Sequence, residues 1–373
     1  MKRTNKSSPS FFDYLMGLVA AVLAIALVLG FVAGKFDPRD HKYIPFFGLA
    51  YPIVLCLNGV MIVWWMIRGR WYIVFSSVLL ILLGWQAFNA SLGFFGEEGK
   101  GPKTDSTAIR MMTYNVHAFK PYGEEIIETV KEQMLDLIEE ENPDIICFQE
   151  YFTRYKGPYD ITDSLQRILK TPYYYFVPVT KNDYEAHGLA IFSKYPIVNK
   201  GEIVFKDNYN GNSSIFADLK VNGRIIRVYN MHLQSISFDK QDYNYLDKVT
   251  KKMDPELSSS KRILSMLRTA FVKRSHQVDI MKAHMQSCKM PFIIAGDFND
   301  TPASYSVTQL TSSLNSTFIQ QGSGFGRTYN GKFPNFQIDY ISTTPDLKAL
   351  NHRVIQAKLS DHFPVRSDLI LNP

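Results

Sequence analysis

Short apolar runs end at six places in this chain on polar groups able to do chemistry: Asn115, Glu150, His232, Asp297 with Asn299, Asp339, and Asp361 with His362. Together these types suit hydrolysis of a phosphate ester. A phosphodiester is an anion that repels hydroxide, so a hard divalent cation held by carboxylate and amide oxygens is the usual remedy. Glu150 is the first candidate ligand, because it follows a wholly apolar run; Asp361 and Asn115 come next. All-oxygen ligation suits magnesium, with manganese as its substitute, better than zinc, which favours His and Cys. The two histidines are then free to serve the phosphoryl group and the leaving oxygen. A carboxylate beside an imidazole fixes its tautomer and raises its basicity, and Asp339 is the expected partner of His362. Asp297 is expected to orient the attacking water, with Asn299 and His232 binding the non-bridging oxygens.

Each group must be carried by an element that stops where it stands. The central one is Phe292 to Asp300, FIIAGDFND: four apolar residues read as a buried strand, Gly296 permits a sharp turn, and Asp297 and Asn299 follow. Strands are likewise expected at 109–116, 144–148, 173–179, 188–192, 213–219, 225–231, 337–342 and 362–371. Helices are expected at 124–141, where Ile126, Ile127, Val130, Met134, Leu137 and Ile138 keep helical spacing, at 163–170, and at 259–287. Lys261, Arg262, Arg268, Lys273 and Arg274 on the last helix read as a solvated face. Residues 238–256, polar and rich in tyrosine, read as an inserted surface loop. The stretch Gly322-Ser323-Gly324-Phe325-Gly326 follows no strand and lacks the Gly-Lys-Ser/Thr ending of a phosphate loop, so it reads as a flexible connection.

The first hundred residues have another composition. Runs 14–34, 43–67 and 71–96 contain no Asp, Glu, Lys or Arg, and each is long enough to cross a bilayer. Trp64, Trp65, Trp71 and Tyr72 bracket Arg68-Gly69-Arg70 like an interfacial belt around a tight hairpin. Residues 1–98 are therefore expected to form a membrane region of three helices, 99–106 a polar linker, and 107–373 a catalytic domain. A cleaved signal peptide is the alternative for the first run, with Val32-Ala33-Gly34 as a weak cleavage site. The expected location is the inner cell membrane, multi-pass, with the catalytic domain outside the cytoplasm. Basic residues are nearly balanced between the two ends of the helices.

The net charge of +6 is mild, and the three cysteines give no disulfide framework. Cys56 lies in an apolar run, Cys147 in an expected core strand, and Cys288 can be packed or free. Beyond residue 98 the chain has 33 basic and 30 acidic residues, which excludes a strongly basic nucleic-acid footprint.

The ordered set TYNV with Asn115, FQE with Glu150, GLAIFSKYPI, YNMHL with His232, GDFND, QIDYI with Asp339 and SDHFPV with His362 resembles the endonuclease/exonuclease/phosphatase superfamily over roughly 107–373. The resemblance implies an α/β (α+β) fold, a four-layer sandwich with two central mixed β-sheets flanked by helices. It also implies a magnesium-dependent phosphoesterase, with the roles above carried onto Asn115, Glu150, His232, Asp297, Asn299, Asp339, Asp361 and His362. Deoxyribonuclease-type members pair the first histidine with a glutamate, for which Glu185 is the nearest counterpart. The aromatic that contacts the scissile phosphate falls to Tyr184 or Tyr155.

The leading expectation is a membrane-tethered hydrolase of phosphodiesters of nuclease type. Its substrate is a nucleic acid or a phospholipid head group, and no feature calls for a protein partner. A phospholipase C similar to sphingomyelinases and a sugar or inositol phosphate phosphatase are the alternatives. A pseudoenzyme that keeps the fold only to bind is the rival from another class.

Overall fold

The computed structural model describes residues 10–121, 129–205, 212–236, 241–242, 245, 257–331 and 336–372. β1 (Ile109–Asn115) is buried throughout and β2 (Ile145–Arg154) nearly so, as their continuous apolar runs require. They pair in parallel, with Asn115 opposite Gln149. β13 (Val365–Leu371) flanks β1, and β4 (Glu185–Ser193) and β3 (Tyr173–Lys181) extend the sheet beyond β2. The short β11 (Leu347–Ala349) and β12 (Arg353–Val354) both pair with β13.

The second sheet has the order β5 (Ile197–Ile203), β6 (Ser214–Val221), β7 (Arg224–His232), β8 (Phe292–Asp297), β10 (Asp339–Thr343) and β9 (Asn315–Ser316). β7 and β8 are parallel, β8 and β10 antiparallel. Their register sets His232 and Asp339 on either side of Asp297, in one row across three strands.

The sheets pack face to face through Met111, Ile145, Cys147 and Ile191 on one side and Ile215, Val228, Ile293 and Ile341 on the other. Each such side chain contributes about 1.5–3 kcal/mol by leaving water. The outer face of the first sheet is covered by α5 (Val130–Glu141) and α6 (Ile161–Leu169), which bury Met134, Ile138 and Leu165 against Phe148 and Phe192. The outer face of the second carries α7 (Leu257–Ser287) and α8 (Tyr305–Thr311), through Val278, Met281 and Leu310. This is the expected four-layer α/β sandwich with two mixed sheets between helices.

Several details depart from the sequence reading. The expected helix at 124–141 is seen from Val130; residues 122–128 lie outside the described residues, as does almost all of the 238–256 insert. Arg274 is not on a solvated face: it is 1% exposed and its Nε lies 3.0 Å from Asp300 Oδ2. The helix is wedged into the rim of the sheet there, and the buried guanidinium is matched by a buried carboxylate.

At the N-terminal end, α1 (Phe11–Val32) and α2 (Ile44–Ile67) are each long and apolar enough to cross a membrane. The third apolar run breaks instead at Gly84, where α3 (Trp71–Leu83) and α4 (Trp85–Ser91) meet at 80°. A Cβ at Gly84 would lie 2.7 Å from the Phe31 ring of α1, so only glycine allows this approach. At one end of the helices Arg68 makes two bonds, of 2.8 and 2.9 Å, to Asp13. At the other end they dock on the sandwich: Thr301 donates to Gly48 O at 3.0 Å and Gln309 to Gly34 O at 3.1 Å. Gly34 faces Thr308 so closely that a Cβ would sit 2.2 Å from its hydroxyl oxygen.

Candidate active site

The strand register brings polar groups from both sheets to one rim. From the first sheet come Asn115, at the end of β1, and Glu150. Pairing of β2 with β4 shifts register between Phe148 and Tyr151, and Glu150 adopts φ 51°, so a bulge turns its side chain toward the site. From the second come His232, Asp297 and Asp339. Behind β8, Gly296 has φ 139° and leaves its Cα side flush against Met231; a Cβ would lie 2.0 Å from Met231 O. Beneath the rim the two sheets are tied by Gln149, which donates to Asn230 Oδ1 at 2.6 Å, and by Asn230, which donates to Phe148 O and Ala190 O at 2.9 Å.

All eight residues singled out in the sequence converge. Asn115 Nδ2 donates to Asp297 Oδ2 at 3.1 Å and to Glu150 Oε1 at 3.4 Å. His232 Nε2 and His362 Nε2 each lie 3.6 Å from Asp297 Oδ2. His362 Nδ1 is 2.9 Å from Asp339 Oδ2, the expected imidazole–carboxylate pair. Ser360 bridges the site by donating to Asn115 O at 2.9 Å and lying 3.1 Å from Asp361 Oδ1. Asn299 sits at φ 54°; its backbone N–H donates to Asp297 Oδ1 at 2.8 Å and its amide to Asp297 Oδ2 and Leu233 O. In this arrangement its donors hold the carboxylate of Asp297.

Three residues take other places. Glu185 stands at the start of β4, 3.1 Å from Arg154, and is not the partner of His232. Tyr184 and Tyr155 are exposed beside it, around a separate surface pocket. Two groups escaped the sequence reading. His117 Nδ1 lies 3.5 Å from Glu150 and 3.8 Å from Asp361, and its place two residues after Asn115 was the available signal. Tyr329 packs edge-on against His362, with ring centroids 5.2 Å apart, a pairing of distant loops that no local pattern announces.

The electrostatics follow from burial and neighbours. Burial pushes Asp297 up to about 6, with Asp339 adding to the push and His362 and His232 opposing it. Burial disfavours the charge on His362, but the Asp339 and Asp297 carboxylates outweigh it and hold the imidazolium well above its ordinary value. Burial likewise disfavours the charge on Glu150, yet hydrogen bonding to His117 and the nearby histidines bring it down to about 2. The site thus sets the ionised Glu150 and the raised Asp297 carboxyl beside the His362 imidazolium. Such separated acid and base strengths are what general acid–base chemistry needs.

Residues 112–362 match the model of the endonuclease/exonuclease/phosphatase family. The chain belongs to that family. Its catalytic domain therefore has the hydrolase fold that acts on phosphoester bonds. A domain of unknown function matches residues 13–91. No curated protein matches. Among solved structures, an endonuclease/exonuclease/phosphatase from Bacteroides vulgatus is similar with TM-score 0.50 at 17% identity, over 72% of this chain and all of that one. A mannosyl-6-phosphatase from Bacteroides thetaiotaomicron VPI-5482 gives 0.49 at 16% identity, over 70% of this chain and 100% of that one. The human Nocturnin catalytic domain with bound sulfate gives 0.49 at 19%, over 71% and 95%. At 17% identity the likeness to the Bacteroides vulgatus structure speaks for the fold alone.

Asn115, Glu150 and Asp361 offer oxygen donors at one side of the site, a set that fits the hard divalent cation of this family. On the other side Asp297, Asp339 and His362 bring ligand atoms within 4.8 Å of one another. His232 Nε2, buried and 3.6 Å from Asp297 Oδ2, has no hydrogen-bond partner among the described residues.

Proposed function

We propose that this family member is a metal-dependent phosphodiesterase held at a membrane. The observation that carries the reading is the row His232–Asp297–Asp339, extended by His362 and met from the other sheet by Asn115 and Glu150. Magnesium, or manganese, would be held by Glu150 with Asn115 and Asp361, where it would neutralise phosphate charge and polarise the ester. The chain's own groups supply the rest. Asp297, poised near neutral pH, orients a water and takes its proton as the oxygen adds to phosphorus. The imidazolium of His362, kept charged by Asp339, and the unpartnered Nε2 of His232 meet the non-bridging oxygens. The phosphorus–oxygen ester bond breaks, the leaving oxygen takes a proton from water, and Asp297 gives its own back to the solvent. Asn299 and Asn115 keep Asp297 in line.

The membrane reading is supported by α1 and α2 and by the path of the chain. It runs from the Asp13–Arg68 end to the docked end, back, and again to the docked end at Gly93, which bridges Gly324. Three traversals would set residue 10 and the catalytic domain on opposite sides; with the N-terminal end in the cytoplasm, the catalytic domain is extracytoplasmic. A C-terminal reporter active only in the cytoplasm would reverse it.

The test of the chemistry is hydrolysis of bis(p-nitrophenyl) phosphate by the full chain in detergent. Turnover should require added magnesium or manganese, vanish with chelator, and fall with His232→Ala. Turnover unaffected by chelator would sink the metal-dependent reading.

A further inference from the structure

Where α2 meets the catalytic domain, a cavity of about 410 Å³ is lined by Pro52, Ile53 and Cys56 from α2, by Pro302, and by Phe325 and Phe336. That volume falls in the range of roughly 300–1,000 Å³ usual for ligand sites. Its position along α2 matters. Gly48 marks the docked end, where its carbonyl accepts from Thr301. Pro52 and Cys56 are four and eight residues further on, roughly 6 and 12 Å deeper along the helix at 1.5 Å per residue. Ile53 and Phe325 remain about half exposed at the mouth. If α2 crosses a bilayer, one wall of the cavity thus belongs to the hydrocarbon layer.

The other wall is polar and lies next to the active site along the chain. Arg327 and Gln337 complete the lining. Arg327 donates to Tyr329 O at 3.1 Å and to Asn330 Oδ1 at 3.0 Å, and no carboxylate pairs with it among the described residues. Between these two residues, Thr328 Oγ1 accepts from Asp339 N at 3.0 Å and Thr328 O accepts from Phe363 N at 2.6 Å, while Tyr329 packs on His362. The loop that walls the cavity is therefore the loop that holds the Asp339–His362 pair. Ser91, 2% exposed, and Gln337, 3% exposed, also line the cavity, and Ser91 Oγ and Gln337 Oε1 have no hydrogen-bond partner among the described residues. A buried orphan of this kind costs stability unless a ligand completes it.

An apolar wall on a helix long enough to cross a bilayer and a guanidinium with no carboxylate partner among the described residues, both lining one cavity, suit an amphiphile with an anionic group. We infer that the cavity seats one acyl chain of a bilayer phospholipid, whose phosphoester is thereby presented to the Asp297–His362 site. The assignment rests on the phosphoesterase reading and adds to it the substrate class. A water-soluble polymer has no use for a wall that only lipid can reach.

The test uses the full chain in phosphatidylcholine nanodiscs with magnesium. Three substrates are compared: dioleoyl phosphatidylglycerol, chain-free glycerophosphoglycerol and bis(p-nitrophenyl) phosphate. The long-chain lipid should be hydrolysed at least about 10-fold faster than its chain-free counterpart, because remote binding energy is realised at the reacting centre. Cys56→Trp and Ile53→Trp, which fill the cavity, should each lower the ratio of lipid to bis-aryl ester turnover about 10-fold. Leu57→Trp, on the same helix but outside the lining, should not. Equal turnover of lipid and chain-free ester overturns the inference, as does an unchanged ratio in both cavity variants. Loss of all activity in both, with native helicity and mass, also counts against it. A halved particle mass in the variants with lipid turnover intact would assign the cavity to a second copy of the chain. Hydrolysis of the bis-aryl ester without any lipid turnover overturns the lipid assignment and leaves the phosphoesterase standing. No turnover of any of the three defeats the phosphoesterase reading itself.

Discussion

His362 Nδ1 lies 2.9 Å from Asp339 Oδ2, with both side chains buried, while the opposite ring nitrogen faces Asp297 at 3.6 Å. One imidazole is thus held between two carboxylates, and the two contacts do different work. Asp339 fixes the ring and its charge; Asp297 shares the reacting space.

Asp339→Asn should leave the fold intact and remove the charge that keeps His362 an imidazolium. Turnover of a soluble phosphodiester should fall roughly 10²–10⁴-fold, the range for loss of positioned acid–base help. The loss should appear in kcat more than in KM. A drop below twofold would show that the pair is structural.

Glu150→Gln keeps the size of the side chain and removes its charge. Held at about 2, the carboxylate of Glu150 is fully ionised at neutral pH and ready for a cation. Calorimetric titration with Mg2+ should show affinity at least about 10-fold weaker, since even groups behind the ligands cost that much. His117→Gln should also weaken binding, through its contact with Glu150.

Asp297→Asn should abolish activity while making the protein more stable above pH 6. Burial raises this carboxyl from 3.8 in the ordinary case to about 6, so the folded state holds the proton more tightly than the unfolded one. Its ionisation therefore costs nothing below pH 3.8, and stability is lost as pH rises from there through about 6. Thermal unfolding with chelator present should show the variant gaining on the wild type across that interval. A constant difference from pH 4 to 7 would contradict the shift.

Gly296→Ala should cost about 2–4 kcal/mol, the range for a strained backbone position with a severe clash. The added methyl would meet Met231 O, and with φ at 139° neither strand can easily give way. Because Gly296 precedes Asp297, the surviving folded fraction should also turn over more slowly. Chemical denaturation followed by activity per folded molecule measures both.

Much of this site was legible because Asn115, His232 and Asp297 each end a strand whose spelling is largely apolar, while Glu150 lies within β2, Asp339 begins β10 and His362 precedes β13. FIIAGD and YNMHL give away the strand and its terminal residue together, and the family resemblance orders them. What escaped is what depends on contacts between distant segments. The bulge that aims Glu150 is set by pairing with β4, and the burial of Arg274 by a carboxylate on another loop. The break at Gly84 reflects Phe31 of a neighbouring helix, since the run itself is uniformly apolar. Glu185 looked suitable as a partner for His232 by type, but its strand carries it to Arg154.

The docking of Gly34 and Gly48 onto Thr308, Gln309 and Thr301 leaves no slack between the apolar helices and the loop that follows Asp297. With those helices in a bilayer, the catalytic mouth rides at one fixed height above the lipid. Under the lipid assignment the enzyme would search a film rather than a volume, and its encounter rate would be governed by lateral diffusion and surface density. Dilution of the surrounding solution would leave that rate untouched, whereas diluting a substrate within the film would lower it in proportion.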